Sequence, residues 1–389
     1  MDMILKGIDI FENLPVRITV EKGTIVDKQP IPHEANLPFV SPGFFDVQVN
    51  GYKGLDYSRA GLTATDVEQM VRNLAPSGTT RHVPTIITNS QERICQNLET
   101  IARAVREQAL VAAAIPGIHI EGPYISAEDG PRGAHDPSFV RDPSIDELDE
   151  WIEASHNLLR VVTLAPERTN AIPFISYAVS KGLVVSIGHT AATPEQIREA
   201  VDAGATLSTH LGNGSHAMLP RLKNYLWEQL ADEHTWAGII ADGYHLPDSV
   251  LKVFAKAKGL DRIVLVSDVA FLGGYDPGRY NWGNIAVEVY ADGHLGLADT
   301  PFLAGAGHLL DTCIPRFAAA AGIPLAQSVA LATGNPERLL GLGEGKQAIR
   351  VGSRADLVLF TVTGPKVALN IERTVLAGVT LYECKEARA

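Results

Sequence analysis

The chain has 389 residues, of which 46% are hydrophobic, and a formal net charge of -12. That length and apolar content can bury a large core. An acidic balance with no basic block argues against a nucleic-acid surface. No run of about 18 apolar residues occurs, so no membrane span is expected. Nor does the opening MDMILKGIDIFENL carry a basic leader or a small-residue cleavage site. Cys95, Cys313 and Cys384 make neither a disulfide framework nor a metal-ligand spacing, which points to a reducing compartment, the cytoplasm.

Residues 1–40 read as short strands, MILKGIDIF and VRITVEKGTIV, with turns at Gly7 and Gly23. Residues 350–382 have the same texture. Short strands need partners, and chain ends often lie together. The expectation is one small β-sandwich from 1–40 and 347–389, flanking a body of 41–346.

Within the body, apolar runs alternate with helical patterns. The runs are Phe44–Val49, Thr80–Ile87, Ile115–Ile120, Arg160–Leu164, Leu183–Ile187, Ala205–Thr209, Ala237–Ile240 and Arg262–Ser267. TATDVEQMVRNLAPSG lies between the first two, and SQERICQNLETIARAVREQALVAAA reads as one long helix before the third. Thr193 is the predicted N-cap of a helix starting at Pro194. A short helix covers Leu251–Gly259, and Pro315–Leu331 and Asn335–Leu340 close the body. Eight strands with intervening helices predict an α/β fold of the (β/α)₈ barrel type. The competing open, doubly wound sheet lacks its glycine-rich dinucleotide fingerprint here, which also sets aside a nicotinamide dehydrogenase.

Parallel strands place their C-terminal ends on one face. Polar residues follow these strands: Gln48 and Asn50 after the first, Glu121 after the third, His189 after the fifth, His210 after the sixth, Asp242 and His245 after the seventh, Asp268 after the eighth. Glu121, His189 and His210 make an N₂O set for a divalent metal with a position open to water. Asp268 is the candidate to move a proton between water and a leaving group. His245 and Arg221 are candidates to contact an anionic substrate. Gln48 and Asn50, two apart, share one side of an extended strand. His119 sits two before Glu121, which predicts the same side of the strand; His216 and His135 are expected to order their loops.

These residues lie in PGFFDVQVNG (42–51), GIHIEGPYIS (117–126), RGAHD (132–136), SIGHT (186–190), THLGN (209–213), DGYH (242–245), LVSD (265–268) and GSRADLVLF (352–360). As a set they resemble the amidohydrolase superfamily, and within it the N-acetylglucosamine-6-phosphate deacetylases, over nearly the whole length. The resemblance implies one divalent ion per subunit on Glu121, His189 and His210, with Zn²⁺ first and Fe²⁺, Co²⁺ or Mn²⁺ as alternatives. It implies Asp268 as acid/base and His245 as a substrate contact that polarises the amide carbonyl. Gln48-x-Asn50 stands where most amidohydrolases carry His-x-His, as in single-metal deacetylases. Asn213 matches a loop residue near substrate, and Arg221 a phosphate-binding arginine that reaches a neighbouring subunit of a homodimer. The implied activity is removal of acetate from an N-acetylated amino-sugar phosphate by metal-activated water. Two loops depart from the pattern. After His210 the chain reads Leu-Gly-Asn-Gly-Ser-His-Ala-Met, and after Asp268 it reads Val-Ala then FLGGYDPGRYNWG. Another N-acyl or cyclic amide substrate is the alternative, and a non-catalytic binding protein on the same fold the remote one.

Overall fold

A computed structural model describes residues 2–282, 285–300, 302–343, 348–362 and 368–384. The eight expected body strands form one parallel sheet in chain order: Phe44–Val49, Thr79–Ile87, Ile118–Glu121, Leu159–Leu164, Val184–Ile187, Leu207–Ser208, Trp236–Ile239 and Ile263–Leu265. The first and last ends meet. Val49 bridges Val269 in parallel, and the Asp268 N–H donates to the Gln48 carbonyl at 3.0 Å. The sheet is thereby a closed barrel, as expected. All six residues of Phe44–Val49 are buried, the signature of a parallel strand covered on both faces.

Local sequence explains the helix starts. Helix Ala64–Leu74 opens on Thr63, whose side chain and that of Asp66 cap each other's backbone. Helix Pro194–Asp202 opens on Thr193 with Gln196 in the same capping box, as predicted. The expected long second helix is instead two, Gln91–Glu107 and Ala109–Ala114. Gln108 between them is extended, and its side-chain amide donates to the Ala64 carbonyl. The third strand begins at Ile118, after Pro116, which lacks an N–H donor. The expected Pro315–Leu331 helix is Leu310–Ala321 and Leu325–Leu331, divided at left-handed Gly322 (φ 71°). A helix Gly334–Leu339 follows.

One element was not foreseen. After the eighth strand, Gly278–Trp282, Ile285–Val289 and Leu295–Leu297 make a three-stranded antiparallel sheet. It covers its own cluster of Ala270, Leu272, Val287, Val289, Leu295 and Ala304.

The two chain ends join as expected. Leu357–Thr361, Asn370–Leu376 and Val379–Glu383 pair through Phe39–Pro42 with Met3–Asp9, Leu14–Glu21 and Thr24–Pro30 in a seven-stranded mixed sheet. Ile25 exchanges backbone hydrogen bonds with Gly352 and Ser353, so the sheet curls around Leu5, Ile18, Val20, Leu357 and Val375. The expected boundary at 346–347 lies outside the described residues. No described helix is long and apolar enough to cross a membrane.

Candidate active site

The polar residues converge at the C-terminal mouth of the barrel. His189, His210 and Asp268 each follow a strand and each adopts a left-handed backbone (φ 51°, 28° and 52°). Such conformations in non-glycine residues cost free energy and cluster at functional sites. Here they turn three side chains inward over the barrel end.

Glu121, His189 and His210 are all buried and form the one group among the described residues with metal-binding geometry. Glu121 Oε1 lies 3.0 Å from His210 Nε2 and 3.2 Å from His189 Nε2. The two Nε2 atoms are 3.0 Å apart. His189 Nδ1 donates to the Pro131 carbonyl at 2.8 Å, which leaves Nε2 with its lone pair. A neutral imidazole fixed in this way is what a divalent ion requires of a ligand. His210 Nδ1 is buried without a partner. Burial alone would push Glu121 up, but the imidazoles of His189 and His210 packed against it outweigh that and hold the carboxyl well below the usual range. The donor set therefore fits a divalent cation.

Gln48 and Asn50 do face one side. Gln48 Nε2 donates both to Glu121 Oε1 and to Asp268 Oδ1, each at 3.0 Å. Asn50 Nδ2 donates to Asp268 Oδ1 at 2.7 Å. The Gln48 amide thus bridges two carboxylates that would otherwise repel, and Asn50 gives Asp268 a second donor. Burial, then the charge of Glu121, pushes Asp268 up to about 6. His245 Nδ1 pairs with Asp242 Oδ2 at 2.8 Å. Burial opposes that ion, yet the His245 contact and the Tyr244 and His245 N–H groups hold Asp242 down at about 2.

Other sequence candidates divide. Asn213 turns back: its N–H and Nδ2 both donate to the His210 carbonyl. Arg221 is exposed and is not brought to the cluster within one chain. His216 does order its loop, between Tyr225 and Glu128. His119 is buried beneath the cluster, its Nε2 2.7 Å from Thr163 Oγ1, in a hydroxyl chain continuing to Thr209 and Ser186. Burial lowers it to about 4.

Sequence reasoning underrated His135. Its Nε2 comes within 3.3 Å of His189 Nε2, and its Nδ1 pairs with Thr88 Oγ1 at 2.8 Å. Only a loop separates it from Glu121 in sequence, and no periodicity reports how that loop folds back. Glu167 was not singled out either. It accepts from the Thr190 hydroxyl and the Ala191 N–H, clamping the turn after His189. Gly214 lies in the loop that departs from the family pattern and packs on His189. Gly214 is left-handed (φ 55°), and a Cβ there would lie 2.8 Å from His189 Nδ1.

The sequence profile of the Amidohydrolase family matches residues 39–381. The N-acetylglucosamine-6-phosphate deacetylase of Bos taurus is 32% identical over 398 residues, covering 100% of this chain and 93% of the relative. The N-acetylgalactosamine-6-phosphate deacetylase of Escherichia coli O157:H7 is 30% identical over 348 residues, 88% of this chain and 89% of the relative. A mutant N-acetyl-D-glucosamine-6-phosphate deacetylase from Mycobacterium smegmatis, solved in complex with N-acetyl-D-glucosamine-6-phosphate, superposes with a TM-score of 0.85 at 28% identity, covering 98% of this chain and 99% of that one. The chain belongs to the amidohydrolase family and, within it, to the N-acetylglucosamine-6-phosphate deacetylase family.

Proposed function

We propose that this protein is a metal-dependent amide hydrolase that removes acetate from an N-acetylated amino-sugar phosphate, N-acetylglucosamine 6-phosphate first. The observation that carries the reading is the convergence of Glu121, His189 and His210 beside Asp268. It occurs in a chain matched over its full length by such a deacetylase. Glu121, His189 and His210 would hold a divalent cation, which would supply Lewis acidity toward water and the acyl oxygen. Zn²⁺ is the proposed ion, since two imidazoles and a carboxylate are a recurrent catalytic zinc set.

Asp268 does the proton work. Gln48 and Asn50 pin its Oδ1, which leaves Oδ2 to take a proton as water adds to the acetamide carbonyl carbon. The same oxygen returns that proton to the sugar nitrogen as the C–N bond breaks, and acetic acid departs, losing its remaining proton to solvent to give acetate. His245, held through Nδ1 by Asp242, keeps Nε2 free for the substrate. Arg221 serves the active site of a second copy in a homodimer. Met218 (90% exposed) and Leu222 (79%) flank it, an apolar pair that a second copy would cover. Three free cysteines support a cytoplasmic setting. The same reading divides the chain into a barrel, 41–346, and a terminal β domain, 1–40 and 347–389.

A second substrate, N-acetylgalactosamine 6-phosphate, is favoured by the Escherichia coli relative. The test is a hydrolysis panel of N-acetylhexosamine 6-phosphates, the unphosphorylated sugars and N-acyl amino acids, with metal analysis of the same sample. Acetate release from a hexosamine 6-phosphate at about one metal per chain is expected. Preference for an N-acyl amino acid would overturn the reading.

A further inference from the structure

Beside the metal cluster, the loop after the seventh strand carries a second group of polar residues. Tyr244 stacks on His294 (centroids 4.5 Å apart, planes at 17°) and on His308 (5.4 Å, 18°). His294 in turn stacks on Tyr290 (4.1 Å, 5°). The ladder ties the turn of the three-stranded sheet to the loop that holds His245. Helix Leu310–Ala321 brings Arg316 to the same place. Its guanidinium carbon lies 5.9 Å from the Tyr244 ring centre. Its Nη1 packs against left-handed Gly243 (φ 90°), where any Cβ would come within 1.9 Å.

Arg316 is partly buried, yet its side chain has no hydrogen bond or ion pair among the described residues, and its Nε is buried without an acceptor. The nearby carboxylates are already engaged. Asp242 holds His245, and Asp292 holds His294. His308 leaves Nδ1 buried and unpartnered, while its Nε2 donates to the Asp292 carbonyl at 2.9 Å. A guanidinium nitrogen withdrawn from water without an acceptor is unfavourable, and the unpaired Nη groups leave the fork open to an anion. Its planar fork matches phosphate oxygens, and a free imidazole nitrogen matches a hydroxyl hydrogen.

We propose that Arg316 is a specificity-determining residue that holds the anionic end of the substrate from within the same chain, with His308 accepting a substrate hydroxyl. This rests on the amino-sugar phosphate reading above. It adds an intrachain anion contact to the one assigned to Arg221 across a dimer.

The experiment compares wild type, R316M, R316K and R221M on the phosphorylated and unphosphorylated acetylhexosamine. R262M is the control, since Arg262 is another half-buried arginine, stacked on Trp236 at the opposite end of the barrel. R316M should raise KM for the phosphorylated sugar roughly 10–100-fold, the range of a lost charge-assisted pair. Its kcat and its kcat/KM on the unphosphorylated sugar should stay near wild type. R316K should recover part of the loss, and R262M should change neither. Thermal shift with inorganic phosphate is read on the same proteins, and wild type should gain stability that R316M lacks. Should R316M fold poorly, R316Q and R316K carry the comparison. Unchanged KM and an unchanged phosphate shift in R316M, with the loss confined to R221M, would overturn the proposal. If wild type hydrolyses no phosphorylated sugar, the deacetylase reading fails, and the phosphate shift alone decides whether Arg316 binds an anion.

Discussion

Replacing Asp268 by Asn isolates the proton transfer from everything else at the site. In wild type, Oδ1 accepts from Gln48 at 3.0 Å and from Asn50 at 2.7 Å. An amide oxygen can accept both bonds, so the substituted side chain keeps its orientation and its NH₂ takes the place of Oδ2. The ligands Glu121, His189 and His210 are untouched. Glu121 and burial disfavour the charge on Asp268, so a neutral residue there relieves repulsion, and the fold should lose nothing. An amide does not accept a proton near neutrality. The rate should fall by about 10²–10⁴-fold, or about 3–5 kcal/mol of transition-state stabilisation. The larger end is expected if one carboxylate serves both halves of the reaction, as proposed. The assay is kcat, KM and metal content for both proteins on the best substrate of the panel. Near-normal kcat in the metal-replete variant would remove Asp268 from the mechanism. Loss of metal together with activity would make it a ligand and leave the proton to another group.

Gln48→Leu removes both amide hydrogen bonds to the carboxylates. The ionised form of Asp268 loses support, its pKa rises, and the acid limb of kcat/KM should move to higher pH. Loss at pH 6 should then exceed loss at pH 8, and a uniform loss would argue against the bridging role. His210→Ala should lower metal content and cut activity on the order of 10³-fold, read by elemental analysis beside kcat. Full metal in an inactive variant would mean that His210 is not a ligand. Trp151 is fully buried, stacks on Tyr124 at 5.2 Å and donates to Gln91 at 2.7 Å. Trp151→Ala should cost about 3–5 kcal/mol in denaturant unfolding with metal content per folded chain unchanged. Thr193→Ala should cost about 1 kcal/mol by loss of the capping box, with a smaller value pointing to compensation by Gln196.

Much of the barrel was legible because its signal is local. A strand buried on both faces is a run such as Phe44–Val49, and a helix start is a residue such as Thr193 followed by Pro194 and Gln196. Strand ends in a parallel sheet share a face, so chain order alone places Glu121, His189, His210 and Asp268 together. Element ends were less legible. Gln108 and Gly322 divide helices that periodicity alone runs together.

The eight-fold alternation, the pairing of the two chain ends and the residue types that meet at the barrel mouth are all written in the order of residues. Those follow from hydrophobic period and from the polarity of parallel strands. Which groups meet across long loops depends on the folded chain. It brought His135 to His189, set Gln48 between Glu121 and Asp268, and laid a three-stranded sheet against Tyr244. It also left Arg316 without a counter-ion beside the loop of His245. The physical reason is that hydrogen bonds and ring stacks between residues dozens of positions apart depend on how loops close over the barrel, and loop closure leaves no period in the chain.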